Sequence, residues 1–209
     1  MDNIPKFTYN TFMEKYSVLP DKPITEAGPV SKKFLELGIE SFHAACRHVQ
    51  ELPYGYNSNR EDVMILFEEN KGSCTTKHGV IATLGEDLGL PVGKTVGIYA
   101  LTEDIVTGAD QTLNKYALPY LPMIHCFLES NNHRVDLTEG NNNGKNKPLD
   151  EFLYTEKVDP MISGKDEYMI YRKVLKDDIL QRDEMKGIDL RRILYAREEA
   201  LKLLKAKVT

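Results

Sequence analysis

Tryptophan is absent from this chain of 209 residues and cysteine occurs only three times. No segment approaches the ~20 consecutive apolar residues that a helix needs to cross a bilayer. No polybasic run interleaves with aromatic residues, and the net charge is -5 with a pI of about 5.6. Neither nucleic acid nor a membrane surface is therefore expected as a partner. The opening "MDNIPKFTYNTFMEKYSVLP" has no apolar stretch behind a basic start, so it does not read as a signal peptide. Cys46, Cys74 and Cys126 are odd in number and too few for a disulfide framework. A reduced, cytoplasmic protein is expected, in which each thiol is left for packing or chemistry.

What is present is an ordinary globular balance, 41% hydrophobic and 28% charged. The length suits a single domain over 1–209. Residues 1–30 carry Pro5, Pro20, Pro23 and Pro29, but also Phe7, Tyr9, Phe12 and Tyr16, which suggests an arm packed onto the body. A helical part follows over 31–91. Ser31 is the expected N-cap of a long helix with Phe34, Leu35, Leu37, Phe42, Ala45, Cys46 and Val49 on its apolar stripe. "PYGYNSNR" (53–60) reads as an aromatic, turn-rich loop, and a short helix is expected over 61–70. The next helix starts near Cys74 and runs to Leu88, where "LGLP" closes it.

Between 92 and 176 the pattern shortens to segments rich in β-branched and aromatic residues. "VGKTVGIYAL" (92–101), "MIHCFLES" (123–130), "HRVDLT" (133–138) and "EYMIYRKVL" (167–175) read as strands of an antiparallel sheet. "ESNNHR" is the expected tight turn between the second and third. "TGADQTLNKYALPYLP" (107–122) is expected to wall a cleft, and "EGNNNGKNKPLD" (139–150) to be a surface loop. A last amphipathic helix over 188–206 presents Ile193, Leu194, Ala200, Leu201 and Leu204 on one face. Helices first and strands later, without regular alternation, indicate α+β.

One constellation carries chemistry. Cys74 sits where a helix begins, so unpaired N–H groups and the positive end of the dipole favour its thiolate and offer donors to an oxyanion. Gly72, just before it, lets the chain turn sharply and a substrate approach. Alternation along "MIHCFLES" puts His125 with Phe127 and Glu129 on one side, and Cys126 with Ile124 and Leu128 on the other. Across the hairpin, Asp136 is expected level with His125, accepting an Nδ1–H bond so that Nε2 faces the sulfur. Cys46 and Cys126 read as core. His78, four residues after Cys74, shares its helix face. Cys74, His78 and His125 make three of the four ligands that zinc takes, but no CxxC or HExxH pattern accompanies them. No metal is expected, and His78 is placed along or beneath the cleft.

The chain resembles the transglutaminase-like branch of the papain-like cysteine hydrolases. The resemblance lies in "KGSCTTKHGVIATLGEDLGLPV", a Gly-x-Cys opening a helix that ends in Leu-Gly-x-Pro, and in "IHCFLESNNHRVDLT", a His on one strand and Asp-x-Thr on the next. It covers roughly residues 53–138. It implies a Cys helix packed on an antiparallel sheet and a triad of Cys74, His125 and Asp136. With no indole in the chain, Asn57 and Tyr54 are the candidates for a second oxyanion donor, with Tyr56 beside them in the cleft. The expected reaction is cleavage of an amide or peptide bond through a thioacyl-enzyme, without a cofactor. The substrate would be a peptide, a protein or a small amide. The alternatives are acyl transfer on the same triad, or a binding module that keeps the cleft without chemistry.

Overall fold

The computed structural model describes residues 15–208 as an α+β fold built on a four-stranded antiparallel sheet of order β3-β2-β1-β4. The strands are β1 (Gly93–Leu101), β2 (Leu121–Ser130), β3 (His133–Val135) and β4 (Tyr154–Val158). Register runs from Gly93 opposite Glu129 to Leu101 opposite Leu121, which sets Gly97 across from His125. Ser130 and His133 pair across a two-residue turn whose Asn131 and Asn132 have φ of 48° and 65°, the left-handed conformation that asparagine tolerates. Phe7, Tyr9 and Phe12 lie outside the described residues, whereas Tyr16 is buried in the core.

The helical part contains α1 (Pro29–Glu36), α2 (Phe42–Glu51), α3 (Ile65–Glu69) and α4 (Cys74–Asp87). The single helix expected from Ser31 to Val49 is two, because Gly38 turns the chain at φ 73° and Ser41 recaps it through the Ala44 amide. Nor is Ser31 the N-cap of α1. Pro29 opens that helix behind Gly28, and Ser31 reaches back, its Oγ accepting from the Gly28 and Ala27 amides at 2.8 and 3.0 Å. The helix expected over 61–70 shrinks to α3, closed by Asn70 in the left-handed region. The Cys helix is nearly as expected, and it is buried on most sides between α1, α2 and the sheet.

Two expectations fail after the sheet begins. "EYMIYRKVL" is not a strand but the body of α6 (Gly164–Asp177). Ser163 caps it by accepting from the Asp166 amide, and Tyr171, Val174 and Leu175 bury one helical stripe. The fourth strand is instead β4, a mostly exposed edge strand. Residues 107–122 contain α5 (Ala109–Lys115), which packs on α7 (Leu190–Ala206) in a second core with Tyr99, Met123 and Tyr171. No helix among the described residues is long and apolar enough to cross a membrane.

Candidate active site

The start of α4, the middle of β2 and the chain just beyond β3 converge on one cleft. Ser73 has extended backbone (φ -79°, ψ 176°), and the first intrahelical bond is the Lys77 amide to the Ser73 carbonyl at 2.9 Å. The amides of the first turn, Cys74's included, therefore lack helical partners, and the positive end of the helix dipole lies at Cys74. His125 and Asp136 meet through an Nε2···Oδ2 bond of 2.6 Å. Asp136 is not on the strand, which stops at Val135, but in the turn after it. Its other oxygen accepts from the Thr138 amide at 2.8 Å and the Thr138 hydroxyl at 2.7 Å, so the Asp-x-Thr segment locks its own carboxylate. Because Nε2 takes the carboxylate, Nδ1 is left for Cys74, the reverse of the orientation expected from sequence.

The charges reinforce one another. Burial alone disfavours a cationic His125, but the Asp136 carboxylate outweighs it and raises the imidazole from 6.5 to about 9. Asp136, also disfavoured by burial, is held well below the usual carboxylate range by the charge and hydrogen bond of His125. For Cys74 the largest influence is the neighbouring Cys126 thiol, whose sulfur also lies 3.8 Å from Glu167 Oε2. Burial opposes it, and the charge and hydrogen bond of His125 and the Lys145 ammonium add to it, leaving the thiol well below its ordinary 9.0. Cys126 is core as expected, but core that touches the site. It packs with Cys74 and Val96, with its sulfur 3.6 Å from Thr75 Oγ1, and stays protonated far up the pH scale.

The cleft residues named from sequence divide. Tyr54 and Tyr56 line the cleft, their rings edge to face with centroids 6.0 Å apart. They are placed by the bridge between Tyr54 and Gly72, with the Gly55 amide bonding the Gly72 carbonyl. Burial and the charge on Cys74 push the Tyr54 phenol well above 10, so it remains a donor, and its hydroxyl meets both the amide and the sulfur of Cys74. Asn57 also lines the cleft but has no donor to spare: its amide nitrogen binds Glu69 Oε2 and the Lys71 carbonyl, both at 3.0 Å. Gly72 does not open the cleft to substrate. A Cβ there would meet Thr76 Oγ1, Leu66 Cδ1 and Lys77 Cγ at 2.9–3.0 Å, so its role is close packing beneath the Cys helix.

His78 is wholly buried and fully engaged. Nδ1 donates to the Cys74 carbonyl at 2.7 Å and Nε2 accepts the Leu137 amide at 2.8 Å. With its lone pair used, Nε2 brings no proton to Asp136 Oδ1 at 3.4 Å, and the ring is a brace between α4 and the Asp136 turn. Among the described residues no group of three or more His, Cys, Asp or Glu is arranged to hold a metal ion.

The structure adds residues that sequence did not single out. The loop read as mere surface folds back over the cleft, bringing Asn143 and Lys145 to its rim. Arg60, Glu167, Arg197, Leu201 and Leu204 complete a space of about 150 Å³. Residues 107–122 supply none of this lining and instead support α7, which walls the cleft in their place. Arg60 falls within "PYGYNSNR", but nothing in its spacing sets it apart, and Lys145 carries no signal in the sequence. No family model, curated protein or solved structure matches this chain.

Proposed function

We propose that this chain is a cysteine hydrolase that cleaves an amide or peptide bond, with the transglutaminase-like arrangement of a helix-start cysteine against a sheet carrying the histidine. One observation carries the reading. The 2.6 Å bond between His125 and a Thr138-locked Asp136 orients an imidazole at the cleft where Cys74 opens a buried helix. The Cys74 thiolate attacks the carbonyl carbon, and the carbonyl electron pair moves onto oxygen. The Tyr54 hydroxyl beside Cys74 is the donor offered to that oxyanion, while the Cys74 amide is turned to the Tyr54 oxygen. Collapse forms the thioester and expels the amine, which takes its proton from His125. Water then attacks, giving a proton to His125, and the acid leaves as the thiol is restored. Asp136 keeps the ring proton on Nε2 and stabilises the imidazolium.

Leu201 and Leu204 of α7 bound the cleft beside Cys74, and water is the second reactant in the hydrolase reading. Three unpaired cysteines are in keeping with a reducing, cytoplasmic setting. The test is a reaction with p-nitrophenyl acetate, read as nitrophenol release and as acetylation of Cys74 by peptide mass spectrometry. A burst with an acetyl group on Cys74, lost in His125→Ala, supports the reading. Added glycinamide that diverts the acetyl group in preference to water would instead make the chain an acyltransferase. No acetylation of Cys74 in the wild type removes both and leaves a binding module.

A further inference from the structure

The cleft beside Cys74 inverts the sign of a chain whose net charge is -5. Arg60, Lys145 and Arg197 line it, and Glu167 is the single carboxylate among its lining residues. Glu167 is already spent, since both its oxygens are held by the Arg60 guanidinium at 3.1 and 2.6 Å. The other two cations have no such partner. Arg197 lies 5.1 Å from the centre of the Tyr171 ring and, among the described residues, ion-pairs with the exposed Glu198 at 3.5 Å, while its Nε is buried with no hydrogen-bond partner among them. Lys145 Nζ lies 5.9 Å from the Tyr54 ring centre, and no carboxylate among the described residues is within ion-pair distance of it. The negative charges that act on it are those of Cys74 and Asp136. Both oxygens of Asp136 are already taken by His125 and Thr138. Lys145, with no counter-ion among the described residues, and Arg197, with only a solvent-exposed one, are costly to draw out of water, and an arriving anion lowers that cost. Met123, Ile124 and Leu201 around them lower the local dielectric and strengthen the attraction.

We propose that Lys145 and Arg197 form an anion subsite, and that the substrate is an amide bearing a carboxylate close to the bond that Cys74 attacks. The inference rests on the reading of Cys74 as a nucleophile. The carboxylate has two possible sources with one chemistry: the side chain of an acidic residue, or a free chain terminus.

Two alkylating agents of similar size, iodoacetate and iodoacetamide, differ in charge and consume the same thiolate. The ratio of their rates at Cys74 is therefore independent of how much thiolate is present, and glutathione supplies the ratio for a free thiol. In the wild type the ratio should exceed that of glutathione by roughly tenfold or more, the scale of one charge contact in a partly desolvated site. It should fall severalfold in Lys145→Met and in Arg197→Met. A wild-type ratio equal to that of glutathione, or a preference intact in both variants, overturns the subsite while rapid iodoacetamide reaction upholds the hydrolase reading. A Cys74 inert to both reagents overturns the two together. Protection of Cys74 from iodoacetamide by millimolar N-acetyl-aspartamide identifies a side-chain carboxylate, and protection by N-acetyl-alanine a terminal one. Protection by neither refutes the subsite.

Discussion

Replacing Asp136 by asparagine removes one charge and keeps the shape of the side chain. The imidazole of His125 stands at about 9 against an ordinary 6.5, although its burial pulls the other way. That difference corresponds to roughly 3 kcal/mol at about 1.36 kcal/mol per pKa unit, supplied against burial by Asp136 first and by the Cys74 thiolate after it. In Asp136→Asn the ring should therefore titrate well below 9, held up only by the Cys74 thiolate. The tautomer changes too. The Thr138 amide and hydroxyl both donate to Oδ1, so the asparagine carbonyl is drawn to them and its NH₂ turns toward Nε2. The neutral ring then carries its proton on Nδ1, facing Cys74, and cannot accept the thiol proton. Imidazole nitrogen shifts of isotope-labelled protein, with His125 assigned by a His125→Gln spectrum, read both quantities. Acylation by p-nitrophenyl acetate should drop on the order of 10⁴-fold, as wrong-tautomer triads do. An Asp136→Asn protein whose His125 still titrates near 9 refutes the reasoning.

Tyr54→Phe removes a phenol that stays protonated beside Cys74, so the rate of acylation should fall about 10²-fold while substrate affinity is kept. An unchanged rate constant would show that Tyr54 does not serve the oxyanion. Gly97→Ala sets a methyl into the Phe152 ring at the position opposite His125, and should cost about 1–3 kcal/mol in urea unfolding. A wild-type urea midpoint would contradict that packing. The stability that Asp136 and His125 confer also has a pH window. Asp136 is depressed below 3.8, so its contribution is present above that value and lost as pH falls through the folded pKa. His125 is raised, so its contribution is complete below 6.5 and disappears as pH rises through about 9. The gap in urea midpoint between wild type and Asp136→Asn should thus be widest between 3.8 and 6.5, and a gap that widens above 9 would contradict it.

The segments legible in the sequence are those whose pattern and burial agree. The Cys helix, its closing "LGLP" and the two long strands fall within two residues of their expected bounds. The α6 segment reads as a strand because Tyr168, Ile170, Tyr171 and Val174 favour strands, whereas the cap at Ser163 and the spacing of Tyr171, Val174 and Leu175 belong to a helix. Edge strand β4 buries little, so it left no apolar alternation to read. The triad residues could be named because their chemistry is rare and ordered along the chain. The ring orientation of His125 could not, since it depends on Asp136 lying one residue beyond the end of β3. Lys145 and Arg197 reach the cleft only through a loop fold and a helix packing that no local pattern encodes.

The most direct test of the thiolate–imidazolium pair is the rate of Cys74 alkylation by iodoacetamide against pH, in wild type and His125→Ala, with Cys46 and Cys126 as internal controls. The account predicts a Cys74 that reacts rapidly well below pH 8.5, the usual thiol range, and loses that advantage without His125. A Cys74 that titrates like a free thiol, or is as inert as Cys46, would contradict it.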